Sequence, residues 1–230
     1  IPLSQLLVRC PGGKHKASHG SFFVFRKLEQ NVRGFKQREE ELAEVMGNAG
    51  ERSGASVVGR FENGTPVTLH DDEVPVPPGD GGVPNNFNYD ADARGLKCPF
   101  AGHVRKANPR DLPGAKAALM GRRGIPYGSR SDEPNSDGIE NKPTGGVGLL
   151  FMAFQSDLAR QFETSQRRWA NDCDFPRPNV GIDPVIGQGK CPMGQRYPRE
   201  YGKSLTGPFD FSGFVTMRGG EYFFAPSISF

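Results

Sequence analysis

The sequence predicts an α+β fold, an antiparallel sheet with two helices on one face. Three observations carry this. A strand-like run at 21–28 passes directly into a helical run at 30–46. The same order, strand then helix, recurs over 148–172. The chain then closes on extended, aromatic-rich residues at 213–226. Long Pro/Gly/Asp/Asn stretches separate these units. They account for 31 Gly and 20 Pro among 230 residues and for a hydrophobic share of 35%, below that of an average globular chain. A modest core with long ordered loops is expected. The 17 Phe residues, gathered in the periodic runs, argue against disorder.

Each element has a local reason. Residues 1–20 open on a short apolar run and pass into a Gly/Lys/His loop; His15 and His19 stand four apart, but Gly12, Gly13 and Gly20 argue against the helix a metal pair would need. Ser21–Leu28 is rich in aromatic and β-branched residues and reads as a strand. From Gln30 to Met46 the period becomes helical. Val32, Phe35, Leu42, Val45 and Met46 form the apolar stripe, Arg38 to Glu41 the outer face, and Gly47 the stop. Ser56–Leu69 reads as two short strands around Asn63-Gly64. Residues 70–97 have no periodicity and read as a solvated loop; Asp71-Asp72 lacks the spacing of a calcium loop. Residues 98–127 are a basic, loop-like stretch with a short helix or turn near Val104–Lys106, and 128–146 form another loop. Gly148–Gln155 is a buried strand. Ser156 caps a helix carrying Leu158, Phe162, Ser165 and Trp169. Two strand segments joined at Gly219-Gly220 complete the chain. The order β–α–(β)–long insertion–β–α–β is that of a ferredoxin-like unit.

Charge and composition exclude little. A net charge of +3 from 29 basic and 26 acidic residues requires neither nucleic acid nor a membrane as partner. No apolar run has the length of a membrane span and no signal-peptide pattern is present, so both a cytoplasmic and a secreted location stay open. Cys10, Cys98, Cys173 and Cys191 are scattered without a Cys-x-x-Cys; the favoured reading is free or buried thiols in a reducing compartment, with one or two disulfides as the alternative. The first residue is Ile1, and the expectation is a processed product or a piece of a longer chain.

The chemistry concentrates in 98–127, where His103 stands among arginines and lysines. A lone His is most often an ordinary residue. A zinc site needs three or four ligands, and none is suitably spaced. Haem needs one imidazole, with an acceptor on its other nitrogen. On the residues alone the ordinary and the haem readings stay open.

Six blocks resemble the dye-decolorising peroxidase family, in its longer-looped fungal and bacterial branch. They are GSFFVFRKLEQNV at 20–32, GLKCPFAGHVRKANPR at 95–110, RRGIPYG at 122–128, GLLFMAFQSDLARQFETSQRRWAND at 148–172, GIDPVIGQ at 181–188 and DFSGFVTMRGGEYFFAPS at 210–227. The resemblance implies a haem b enzyme that uses hydrogen peroxide to oxidise aromatic or dye reductants. It implies His103 as proximal iron ligand, Arg122 as distal arginine, Leu149 and Phe151 as distal lining, and Asp183 as partner of the proximal imidazole. Tyr127 and Trp169 lie in blocks where surface redox residues occur; packing is the alternative for each. One motif of the family is missing. No Gly-x-x-Asp-Gly supplies the distal acid–base Asp, since Gly79–Gly82 and Asp137-Gly138 have the wrong spacing. The blocks are those of the C-terminal half. The expectation is therefore one haem-binding ferredoxin-like domain over 1–230, half of a dimeric α+β barrel-like pair, whose N-terminal companion with Gly-x-x-Asp-Gly is supplied elsewhere. Two alternatives accompany it: a haem-binding or scaffold module with little turnover, and a folded remnant without haem.

Overall fold

The computed structural model of the chain describes residues 1–13, 15–75, 83, 85–129 and 138–228. Gly79–Gly82 and Asp137, weighed above for the acid–base motif, lie outside these residues. The chain divides into two compact units, one of 1–33, 116–165 and 214–230, the other of 34–115 and 166–213.

The first unit is built on a sheet. Its central strand is β2 (His19–Gln30), preceded by a two-residue strand β1 (Val8–Arg9) that pairs with its first residues. Strand β3 (Gly121–Tyr127), β4 (Gly148–Gln155) and β7 (Val215–Ala225) complete the sheet in the order β7-β2-β4-β3, every pair antiparallel. Placing the first and last long strands side by side, with the two middle ones beyond, is the ferredoxin-like arrangement. Residues paired across an antiparallel ladder share a face. One face carries Val24, Phe151 and Ala153, which pack with Phe162 from the helix that follows β4. Phe162 also meets Tyr222 and lies under the Arg26 guanidinium, 4.5 Å from its ring. The other face carries Phe23 between Phe154 (4.8 Å) and Phe223 (6.0 Å).

Three local expectations for this unit are corrected. Residues 122–127 were expected as loop and form β3: the ladder to β4 accommodates Pro126 because β3 is an outer strand of the sheet among the described residues. The predicted hairpin at Gly219-Gly220 does not form. Both glycines pair within one strand, opposite Lys27 and Arg26, and the irregularity is a bulge that leaves Arg218 unpaired between Met217 and Gly219. Ser156 is not the cap of the next helix; Asp157 Oδ1 accepts from Arg160 N at 2.9 Å, and the Gln161 side chain accepts from Ser156 N and Asp157 N. That helix, Ala159–Ala170, is a π-helix, with Glu163 N bonded to Leu158 O and Asn171 N to Gln166 O.

The second unit holds helices α1 (Val32–Val45, from residue 34 on), α2 (Arg52–Val58) and α3 (His103–Ala107), the end of the π-helix, and a small pair, β5 (Pro198–Glu200) with β6 (Ser204–Leu205). Ala55, Phe61, Val67, Phe87, Tyr89 and Cys98 form its core. The two strands expected over 56–69 are absent. Residues 52–58 are helical instead, and the Asn63-Gly64 turn is closed by the single bridge Arg60–Pro66. On α1, Leu42 and Met46 are buried as the stripe requires, but Val45 is exposed. Glu39, assigned to the outer face, turns inward against Gly54, where any Cβ would collide with its carboxylate. Lys36 at 3.1 Å stabilises the charge, although burial still raises the Glu39 pKa. The cysteine expectation also changes. Cys173 and Cys191 form a disulfide across a Cα–Cα distance of 5.8 Å, while Cys10 and Cys98 are buried free thiols.

Candidate active site

The His103 side is assembled within the second unit, starting from Asp92. One oxygen of this buried carboxylate accepts from Leu96 N (2.8 Å) and Lys97 N (3.0 Å), the other from Cys98 N (2.9 Å) and Arg105 Nη1 (2.7 Å). Arg105 returns bonds to Cys98 O and Asp92 O. This network satisfies a buried ion pair and fixes the loop that leads into α3. Gly102 then allows close approach: a Cβ there would stand 3.1 Å from Ser56 O and 3.2 Å from Pro99 O. His103 follows as the first residue of α3, a quarter exposed.

Its Nδ1 donates to Asp183 Oδ2 at 2.9 Å, and the Asp183 side chain is fully buried. Asp183 is itself held by local geometry. Oδ1 accepts from Val185 N (2.8 Å) and Ile186 N (2.9 Å), the bonds of a helix-cap residue, with Pro184 at the position that needs no donor. Gly187 closes the turn onto Asp183 O, where a Cβ would come within 2.4 Å of that oxygen. Asp183 N donates to Ala170 O, and Gly181 N to Cys173 O beside the disulfide. A carboxylate accepting from Nδ1 fixes the tautomer that presents Nε2 as a lone-pair donor, the arrangement typical of metal-ligating histidines.

Lys106, one turn along α3, is fully buried. It donates to Asp172 O at 2.9 Å and to Phe175 O, and burial lowers its pKa to about 8 against the opposing pull of Asp183, Asp172 and Asp174. Sequence reasoning placed Lys106 in the helix and missed its burial. Its only signal was two adjacent cations, Arg105 and Lys106, in so short a helix. Trp169 stacks on Phe175, with centroids 5.6 Å apart and planes at 12°, and precedes the Ala170 whose carbonyl receives Asp183 N.

The Arg122 side belongs to the first unit. Arg122 pairs with Ala153, Gly124 with Phe151 and Pro126 with Leu149, so Arg122, Leu149 and Phe151 share one face of the sheet. Gly124 makes room there, since a Cβ would meet Leu149 at 3.1 Å. Arg123 pairs with Met152 and belongs to the opposite face. So does Tyr127, which lies under the Lys27 ammonium at 4.9 Å; its hydroxyl is buried with no hydrogen-bond partner among the described residues. Among the described residues no cluster of three His, Cys, Asp or Glu could hold a bare metal ion.

The sequence of this chain matches the family description "Dyp-type peroxidase, C-terminal" over residues 3–175. The chain belongs to the dye-decolorising peroxidase family. It is 49% identical to the multifunctional dye peroxidase DyP2 of Amycolatopsis, over all of this chain and 52% of that protein. It is 34% identical to the dye-decolorizing peroxidase msp1 of Mycetinis scorodonius, over 93% of this chain and 45% of the other. The solved structure of Amycolatopsis DyP2 superposes with a TM-score of 0.91 over the whole chain and 52% of its own length. An Anabaena DyP-type peroxidase does so at 0.89 and 42% identity, over the whole chain and 48% of its own length. The chain thus spans about half the length of the relatives it matches. Dye-decolorising peroxidases are haem enzymes, and the donor set fits that group. A single imidazole with a buried carboxylate behind it suits one bond to a haem iron, and no group of three His, Cys, Asp or Glu stands beside it among the described residues.

Proposed function

We propose that this chain is the haem-bearing half of a dye-decolorising peroxidase, in which His103 Nε2 would hold the iron of haem b. The hydrogen bond from His103 Nδ1 to the buried Asp183 carries the reading. When bound, haem supplies the peroxide-dependent oxidation of aromatic or dye reductants. Asp183 holds the imidazole in the ligating tautomer and raises its basicity. Arg122 would offer the planar, fixed donors of a guanidinium to the peroxide oxygens as negative charge develops on them. Leu149 and Phe151, on the same face, keep water from that charge. Trp169 is the favoured exit for oxidising equivalents, because the backbone bond from Asp183 N to Ala170 O joins it to the imidazole partner; Tyr127, on the face away from Arg122, is the weaker choice.

The distal proton carrier belongs to the companion half with Gly-x-x-Asp-Gly. Phe223 (49% exposed), Ile125 (45%) and Phe154 (40%) leave an apolar face on the sheet of the first unit, and the length difference from the relatives supports a docked half there. The purified protein should show a Soret band that His103→Ala removes; a colourless protein that takes up no haem would sink the proposal. With the companion present, Arg122→Leu should lower peroxide-dependent dye oxidation at least tenfold. The alternative is a haem-binding module with little turnover. It predicts a Soret band with no turnover even when the companion is present.

A further inference from the structure

We propose that the second unit carries a docking site for a single-ring phenol, in a cleft lined by Tyr89, Phe100, Leu112, Pro176 and Arg177. The peroxidase reading supplies the use of such a ligand, as reductant; the binding itself does not depend on it.

Size is the first argument. The cleft encloses about 190 Å³. An apolar cavity of ~150 Å³ holds a benzene ring, whereas drug-sized ligands fill pockets of roughly 300 Å³ and more. One substituted ring fits within it, and a polycyclic dye would extend out of it into solvent.

The lining chemistry narrows the class. The Arg105 guanidinium lies 4.4 Å from the Tyr89 ring and 4.3 Å from Phe100, but its charge is spent on Asp92 at 2.7 Å. Arg177 also lies over Phe100, at 4.6 Å; it is exposed and has no carboxylate partner among the described residues. Its planar cation is therefore available to an electron-rich ring. Two carboxylates, Asp90 and Asp111, complete the lining. One oxygen of each is engaged, by Asn88 Nδ2 and by Tyr89 N respectively, which leaves the other as acceptor. Two carboxylates beside one unpaired guanidinium disfavour an anion and suit a neutral hydroxyl donor. That selects a phenol over an aromatic acid. The position is also apt: Pro176 in the lining follows Phe175, the residue stacked on Trp169.

The test is calorimetric titration of the full chain with 2-methoxyphenol, with benzoate as comparison. Saturable 2-methoxyphenol binding is expected, at least tenfold tighter than benzoate. Leu112→Trp and, separately, Ala93→Phe, at another lining residue, should each weaken it tenfold or more by filling the cleft, and Arg177→Ala threefold or more, in variants whose circular dichroism matches the parent. Haem content is read independently from the Soret band, so a haem-free protein that binds the phenol keeps this proposal while overturning the previous one. In loaded protein with its companion, the KM for 2-methoxyphenol relative to that for a polycyclic dye should rise at least tenfold in the filled variants. Absent saturation, equal benzoate affinity, binding indifferent to both fillings, or an unchanged KM ratio would each overturn it.

Discussion

Replacing Asp183 by asparagine isolates the tautomer argument from the fold. The carboxylate makes three hydrogen bonds: Oδ1 accepts from Val185 N and Ile186 N, and Oδ2 from His103 Nδ1. Asparagine has one acceptor oxygen and one donor nitrogen, so it must choose. Two backbone donors outweigh one imidazole donor, which keeps the amide oxygen at Val185 and Ile186 and turns the NH2 toward His103. Nδ1 must then accept, and its proton moves to Nε2, the nitrogen assigned to iron. The lost charge-assisted bond is worth about 1.5–3 kcal/mol, and loss of such a partner typically weakens metal binding ~10–100-fold. Because two of the three bonds persist and a neutral amide bond to Nδ1, worth roughly 0.5–1.5 kcal/mol, takes the place of the third, thermal unfolding should move by about 1 kcal/mol. The assay is haem transfer to excess apomyoglobin, followed in the Soret region beside a melting curve of the same protein. Faster transfer by at least tenfold with a nearly unchanged melt is expected for D183N. Transfer within twofold of the parent would refute the reasoning, as would a melt shifted enough to explain the loss.

Three further expectations follow from other parts of the molecule. Lys106 has a folded pKa of about 8 against an ordinary 10.5, so above pH 8 the unfolded chain binds the extra proton and stability rises with pH. Between pH 8 and 9 the parent should gain about 1 kcal/mol relative to Lys106→Met in urea unfolding; Cys98, pushed up to about 11, works in the opposite direction in both proteins from about pH 8.5 upward. Opening the 18-residue span between Cys173 and Cys191 with a double serine substitution should cost about 3 kcal/mol, and haem transfer should quicken because Asp183 lies inside that loop; unaltered transfer would separate the disulfide from the site. Phe223→Glu should leave the stability of the chain within about 0.5 kcal/mol, since the ring is half exposed, and abolish co-sedimentation with a companion half in the ultracentrifuge.

Much of the fold was legible because period and order sufficed. The aromatic and β-branched run at Ser21–Leu28, the apolar run at Gly148–Gln155 and the helical stripe ending at Gly47 each appear in the structure within a few residues. Local signals failed where a partner strand or buried charge decided the outcome. Gly219-Gly220 is a turn dipeptide by composition, yet pairing to Lys27 and Arg26 holds it straight. RRGIPY looked irregular because of its Gly and Pro, and became a strand only through its ladder to β4. Within the candidate site, a blocked motif can be read in one dimension, but the burial of Lys106 and the Asp92–Arg105 lock depend on which residues fold over them. The Cys173–Cys191 pairing is likewise a matter of spatial distance, and spacing along the chain carries no sign of it.

Arg122 and Arg123 are neighbours in the chain and belong to opposite sides of a sheet. Their difference is one of parity. Deleting Leu119 or Met120, which lead into β3, would exchange them by sliding β3 one residue along β4, leaving the net charge as it was. A two-residue deletion would restore parity and displace the guanidinium along the strand instead. In a library of insertions and deletions at that point, function should therefore track odd and even lengths while expression stays level.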